Sequence, residues 1–111
     1  LPDRLPTISV VTPNHNHAAC LPKCIASVAN QSWPVLEHVV VDDASTDDSI
    51  SVLEALAEAN PRLKVIRSER NQGVSLAVAK AIEAAKGDFV IALASDDELP
   101  RQSIESFMKV I

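Results

Sequence analysis

Two pairs of adjacent aspartates are the residues of this chain best suited to chemistry. Asp42-Asp43 and Asp96-Asp97 each follow a run of mostly branched apolar residues, a pattern typical of a buried strand. In an open parallel sheet, ligands bind at the carboxyl ends of the strands. Two acidic pairs brought to that edge could hold a divalent metal ion and the polar groups of a nucleotide.

Length and composition limit the possible folds and partners. The chain has 111 residues, 47% of them apolar and 23% charged, which is typical of one globular domain over residues 1–111. A start at Leu1 without methionine favours a piece of a longer protein. No apolar run is long enough to span a bilayer. The net charge of −5 argues against nucleic acid as a partner.

The two cysteines, Cys20 and Cys24, have the spacing of one helical face. Buried free thiols are the favoured interpretation, because free cysteine is among the most buried residue types. Two cysteines do not make a disulfide framework, so a reducing, cytoplasmic location is expected.

Strand and helix patterns alternate four times along the chain. Strands are predicted at 8–12, 36–41, 63–66 and 89–94, each followed by apolar residues at helical spacing. Such βαβ units predict an α/β domain of three layers, α/β/α, with a mostly parallel sheet in the order 3-2-1-4. Hydroxyl and acidic residues from Ser45 predict the start of the second helix, and Pro100 that of the last.

The turn after the first strand reads Pro13-Asn14-His15-Asn16-His17. It lacks the glycines of both a dinucleotide-binding loop and a P-loop, which disfavours NAD and simple ATPase chemistry. Its proline and amide side chains form a stiff polar turn that could touch a base or ribose. The two histidines are favoured as solvated turn residues over metal ligands, because H-x-H spacing alone specifies little.

Helix capping is the simplest explanation for acidic residues in the segment that contains the first pair. Helix capping explains the acids Asp47 and Asp48 that follow Thr46. It does not explain Asp42 and Asp43, two neighbouring carboxylates beside a buried strand that need a compensating partner. A base N–H or a ribose hydroxyl would be such a partner.

The second acidic segment, Ser95-Asp96-Asp97-Glu98, is either a solvated surface loop or a metal site. Mg²⁺ and Mn²⁺ choose oxygen ligands, often one or two carboxylates together with substrate phosphates. The position after a buried strand, opposite the first pair, favours metal binding.

Gly73 lies in a short polar turn between the third strand and the third helix. The glycine either allows an unusual backbone angle or lets the turn present N–H groups to a phosphate. The spacing leaves both explanations open.

Together these segments resemble the family 2 glycosyltransferases, inverting enzymes with the Rossmann-like GT-A fold that use nucleotide-sugar donors. Five motifs occur in the family's order and cover nearly the whole chain. They are P-T-Y-N after the first strand at 8–16, C-L-x-S-[IVL]…Q-[ST]-[YW] at 24–33, V-V-D-D-x-S-x-D at 40–47, N-x-G-x-[SA] at 71–75 and K-G-[DE]-[YF]-[IV] at 86–90.

The resemblance implies a role for individual residues. Asp43 would hydrogen-bond the uracil or other base, with Asp42 supporting it. The residues implied in nucleotide binding are Pro13, Asn14, His15, Asn16, Asp42, Asp43, Gly73, Ser95 and Asp96. Asp97 and Asp96 would hold Mg²⁺ or Mn²⁺ at the diphosphate, where the metal offsets charge on the leaving group.

The resemblance also implies the reaction and the partners. The donor would be a nucleotide sugar, with a UDP-sugar first, and the acceptor a glycan or lipid of cell-envelope polysaccharide biosynthesis. No nucleic acid is implied. The parent protein would be cytoplasmic, at the inner face of the membrane.

Three departures from the family pattern bear on activity. Ala94 replaces the first acid of the usual D-S-D-D motif, and His15 stands where tyrosine is usual. Full GT-A domains run well past residue 111 and carry the catalytic base there, so this truncated half is expected to be inactive alone. The fourth strand would then be an exposed sheet edge, which invites a homo-oligomer.

Two alternatives remain beside the glycosyltransferase. A nucleotidyltransferase would have the same kind of sheet and would also use a metal ion held by carboxylates, but it would join a nucleotide to a sugar phosphate. A non-catalytic interaction module would use the acids only as solvated caps, and the alanine at position 94 favours it.

Overall fold

The computed structural model describes residues 5–111, in which strands and helices alternate. The elements are β1 (Ile8–Asn14), α1 (Leu21–Ala29), β2 (Glu37–Asp43), α2 (Ser49–Ala59), β3 (Leu63–Ser68), α3 (Val74–Ala84), β4 (Phe89–Ala92) and α4 (Ser103–Val110). The strands form one parallel sheet in the order β3-β2-β1-β4. The predicted strand order is confirmed.

Helices cover both faces of this sheet. Successive side chains of a strand point to opposite faces, so one face takes the odd-numbered residues of β1 and β2 and the other face the even-numbered ones. On the first face, α3 packs Ala77 and Ala81 against Val11, Val39 and Val41. On the second, α1, α2 and α4 pack against the strands through Cys24, Leu53 and Ile104, among others. The predicted three layers are confirmed.

All four strands end at residues other than those predicted, with β1 and β3 continuing to Asn14 and Ser68. The ends of β2 and β4 change the positions of the acidic residues. β2 continues through Asp42 and Asp43, which pair with Arg67 and Ser68 of β3, so this acidic pair lies in the strand and not in a loop. β4 ends at Ala92, two residues earlier than predicted.

Two helices begin later than predicted. α2 begins at Ser49, because Ser45 is hydrogen-bonded to the Asp42 carboxylate and is not available to cap a helix. α4 begins at Ser103, three residues after Pro100. None of the helices within residues 5–111 is both long and apolar enough to cross a membrane.

Of the two cysteines, Cys24 is buried and Cys20 is half-buried, and both are free thiols. Burial, with the negative charges of Asp97 and Asp96, raises the pKa of the Cys24 thiol to about 11. Cys24 is therefore protonated and unreactive near neutral pH. The expectation of a buried thiol holds fully for this residue and in part for Cys20.

His38 is a buried polar residue in the middle of β2. Its side chain is 1% exposed, and Nε2 lies 2.7 Å from the Thr12 hydroxyl, while Nδ1 has no partner among the described residues. Burial lowers the pKa of His38 from 6.5 to about 4. The folded protein therefore holds a neutral imidazole that the unfolded chain protonates more readily.

We expect His38 to make stability depend on pH. Its contribution is present above the unfolded pKa of 6.5 and is lost as pH falls towards 4, by roughly 3 kcal/mol in all. Urea denaturation at pH 7 and pH 4.5 measures the loss. His38→Gln keeps a hydrogen bond to Thr12 and should lose less stability over this range. Equal losses in the two proteins would contradict the assignment.

β4 is an edge strand, and β1 is the only described strand paired with it. Its apolar side chains are partly in solvent, with Phe89 38% and Val90 37% exposed. An exposed, apolar edge is a template for pairing with another chain. The predicted exposed edge is therefore present within residues 5–111.

We expect this edge to pair with a second copy of the chain. Sedimentation equilibrium should show a mass that rises towards the dimer with concentration, and Val90→Lys should keep the protein monomeric because it charges the edge. Ser51→Lys adds the same charge on the exposed face of α2 and should leave the association unchanged. A monomeric mass for the unmodified chain at every concentration would contradict this expectation.

Candidate functional site

A cleft of about 370 Å³ lies where β1, β2 and β4 end. Because β1 lies between β2 and β4, the loops after these three strands meet there. Seven of the residues that the sequence predicted to bind a nucleotide line this cleft: Pro13, Asn14, His15, Asp43, Gly73, Ser95 and Asp96. Asn16, Asp42 and Asp97 do not line it.

Asp43 is held at the edge of the cleft by the turn before α3. Its carboxylate is buried and accepts hydrogen bonds from the N–H groups of Gln72 and Gly73, both at 2.9 Å. Gly73 has a φ of +93°, a backbone conformation that glycine adopts at little cost. The unusual backbone angle is thus present, and the Gly73 N–H is directed at Asp43.

Asp42 lies on the opposite face of β2 from Asp43. It is 1% exposed and accepts hydrogen bonds from the Asn14 amide at 2.8 Å and from the Ser45 hydroxyl at 2.6 Å. The Ser45 N–H adds a third at 3.1 Å. Three donors offset the charge of this buried carboxylate, so the compensating partners of Asp42 are within the protein.

Asn14, the last residue of β1, and Asn16, in the loop after it, have different surroundings. Asn14 is buried and lines the cleft, and its Oδ1 has no partner among the described residues. Asn16 is exposed, and its Oδ1 accepts from the N–H groups of Thr46 at 2.7 Å and Asp47 at 3.2 Å. Asn16 therefore holds the loop before α2, while Asn14 holds the buried carboxylate of Asp42 through its NH₂ group.

His15 is hydrogen-bonded through both ring nitrogens. Nδ1 lies 2.7 Å from the carbonyl oxygen of Asp43, which can only accept, so Nδ1 carries the proton. Nε2 then accepts from the amides of Asn16 at 3.2 Å and Asn71 at 3.4 Å. These hydrogen bonds fix the orientation of the ring, which lines the cleft.

Sequence reasoning missed His17 and Asn71 as residues of the cleft. His17 Nδ1 lies 2.9 Å from the hydroxyl of Ser95, so it joins the loop after β1 to the loop after β4. H-x-H spacing gave no sign of this contact. The predicted pairing of strands 1 and 4 did, because it brings the loops after these two strands together. Three apolar residues complete the cleft: Val74, Ala77 and Ala94.

Asp96 and Asp97 are both exposed after β4, but only Asp96 lines the cleft. The Asp97 N–H donates to the Ala94 carbonyl at 3.0 Å, which forms a tight turn. Within residues 5–111 no three His, Cys, Asp or Glu side chains come together to hold a metal ion. Two carboxylates fit Mg²⁺ or Mn²⁺ only when phosphate oxygens and water complete the coordination.

A family model, Glycosyl transferase family 2, matches residues 9–111. The chain belongs to this family. The resemblance seen in the motifs is confirmed. The order of the motifs along the chain therefore identified the family correctly.

Curated relatives of the family are similar over most of this chain. TuaG of Bacillus subtilis (strain 168), named for teichuronic acid biosynthesis, is 36% identical over 100 residues, 90% of this chain and 40% of its own length. Chondroitin synthase of Pasteurella multocida (strain Pm70) is 34% identical over 106 residues, 96% of this chain and 11% of its own length. The chain thus spans less than half of either relative.

Solved structures confirm the GT-A type of fold. S. aureus TarS 1-349 in complex with UDP matches with a TM-score of 0.84 and 30% identity, over 93% of this chain and 31% of its own. The mannosyltransferase PcManGT of Pyrobaculum calidifontis, in complex with GDP-Man and Mn²⁺, matches with 0.81 and 30%, over 89% of this chain and 30% of its own. One of these structures contains a nucleotide and the other a nucleotide sugar.

Proposed function

We propose that this chain is the donor-binding half of an inverting glycosyltransferase. It would serve the transfer of a sugar from a nucleoside diphosphate to a glycan or lipid acceptor. The observation that carries the proposal is the cleft at the carboxyl edge of the sheet, which Asp43 and Asp96 both line. Ligands of open parallel sheets bind at this edge.

The base and ribose would bind at the β2 side of the cleft. Asp43 uses its carboxylate for two N–H groups, and each oxygen keeps a second lone pair for a base N–H. The fixed ring of His15 offers a flat surface for stacking, and the Asn71 side chain also lines this part of the cleft. These groups supply the polar and flat contacts that a nucleoside needs.

The diphosphate would bind at the β4 side, where Asp96 lines the cleft and Asp97 follows. These carboxylates would hold Mg²⁺ or Mn²⁺ together with phosphate oxygens. The metal, when bound, neutralises negative charge on the departing nucleoside diphosphate. The chain's own residues hold and orient the donor, and we propose that the catalytic base lies beyond residue 111.

The comparisons support a nucleotide-sugar donor. TarS structures contain UDP and UDP-GlcNAc, and the PcManGT structure contains GDP-Man and Mn²⁺. The name of TuaG supports a role in cell-envelope polysaccharide biosynthesis. We further propose that the parent protein acts in the cytoplasm, at the inner face of the membrane. Family membership favours sugar transfer over the nucleotidyltransferase reaction.

Isothermal titration of the unmodified chain with UDP, GDP and uridine tests this function. We expect UDP to bind more tightly with Mn²⁺ than without it, by tenfold or more, and uridine to be insensitive to the metal. The difference follows because only the diphosphate supplies metal ligands. Absence of binding by every nucleotide, with or without Mn²⁺, would favour the interaction module instead.

A further inference from the structure

The segment that carries Asp96 has no regular structure of its own. Residues 93–102 join β4 to α4 and contain neither helix nor strand. The Leu93 N–H still donates to the Val11 carbonyl of β1 at 2.9 Å, but beyond Leu93 no helix or sheet fixes the position of this main chain. Contacts with other elements must do so.

Ser27 and Gln31 supply these contacts from one side of the segment. The Ser27 hydroxyl accepts a hydrogen bond from the N–H of Leu99 at 2.9 Å. The Gln31 side-chain NH₂ donates to the carbonyls of Leu99 at 3.2 Å and Pro100 at 2.7 Å. Its Oε1 accepts from the N–H of Ile104 at 3.1 Å, so Gln31 also fixes the start of α4.

All of these bonds join a side chain to main-chain groups of the segment or of the first turn of α4. They therefore fix the path of the backbone and do not depend on the side chains that the segment carries. Gln31 is only 8% exposed, and Ser27 is half-buried. Fully satisfied networks at low local dielectric hold one arrangement strongly, because a broken bond leaves a buried group without a partner.

The other end of the segment is held by His17, a residue that lines the cleft. Ser95 is 2% exposed and its hydroxyl lies 2.9 Å from His17 Nδ1. Asp96 follows directly, with its exposed carboxylate on the cleft. The acid thus lies between two anchored points, Ser95 and Leu99.

We propose that Ser27 and Gln31 are positioning residues for Asp96. They hold the main chain of residues 99 and 100 so that the carboxylate stays on the cleft, although neither side chain lines the cleft itself. The inference rests on the proposed function, since it concerns the metal and diphosphate side of that site. Residues that orient a metal ligand commonly change metal affinity by about 10- to 100-fold when replaced.

Ser27→Ala tests this role with the smallest change in volume. It leaves the Leu99 N–H without its acceptor, and we expect the Mn²⁺-dependent affinity for UDP to fall by about tenfold. Uridine, which reaches only the β2 side, should bind within about twofold of the unmodified chain. Ser51→Ala is the matched control, because Ser51 is an exposed helical serine in α2. It should leave both affinities unchanged.

Gln31→Met is the second variant, close in volume but without hydrogen bonds. We expect a larger loss for UDP with Mn²⁺ than in Ser27→Ala, measured below the melting temperature of each variant. A purely structural role would lower uridine and UDP affinity together, or neither, and either result overturns the positioning role. Failure of the unmodified chain to bind UDP overturns the proposed function, and this role with it.

Discussion

Replacing Asp96 with asparagine removes most of the metal-dependent binding of UDP and leaves the protein folded. The carboxylate is exposed, lines the cleft and makes no side-chain hydrogen bond to residues 5–111. Loss of its charge therefore costs little stability. It removes one of the two carboxylates expected to hold the metal against the diphosphate, and we expect the affinity to fall about 100-fold.

Titration with UDP in the presence and absence of Mn²⁺ measures this effect. Glu98→Gln is the matched control, because it removes one exposed negative charge two residues away from Asp96 and outside the cleft. It should keep the affinity of the unmodified chain. An Asp96→Asn protein that binds UDP with Mn²⁺ as tightly as the Glu98→Gln protein would contradict the assignment.

Replacing Asp43 with alanine impairs both nucleotide binding and stability. The side chain is 3% exposed and accepts from two backbone N–H groups of the turn before α3, which the variant leaves without an acceptor. We expect the free energy of unfolding to fall by about 2 kcal/mol. We also expect uridine affinity to fall at least tenfold, because the base loses its carboxylate partner.

Asp47→Ala is the control for Asp43→Ala. Asp47 also accepts from two backbone N–H groups, those of Ala18 and Ser49, but it does not line the cleft. Urea denaturation and uridine titration should show that Asp47→Ala loses stability and retains affinity. If the Asp43→Ala protein binds uridine like the Asp47→Ala protein, Asp43 does not contact the base.

Much of the fold was predictable because the chain repeats one simple pattern. Four apolar runs, separated by stretches at helical spacing, allow a parallel sheet with right-handed connections. The order of strands then brings the end of β2 and the loop after β4 to either side of β1. The shared cleft of Asp43 and Asp96 follows from that order.

The direction of each acid in the first pair was not predictable. Aspartate is depleted in strands, so the end of the apolar run looked like the end of β2. Buried partners outweigh this tendency: Asn14 and Ser45 hold Asp42, and the Gly73 turn holds Asp43. Because β2 continues, its alternation places the two carboxylates on opposite faces, and only Asp43 reaches the cleft.

The start of α4 was not predictable from its own residues either. Proline favours the first turn of a helix, but the carbonyl of Pro100 accepts a hydrogen bond from Gln31, which is 69 residues away in sequence. Such a long-range bond leaves no local signal. The same holds for the contact of His17 with Ser95.

A titration of the ¹⁵N-labelled chain with UDP and Mg²⁺, followed by amide chemical shifts, tests the donor cleft most directly. We predict saturable shifts at the turn after β1, at the end of β2, at Gly73 and at Ser95 and Asp96. The shifts beside Asp96 should require the metal. Saturable shifts confined to the opposite edge of the sheet, where the strands begin, would contradict the donor cleft.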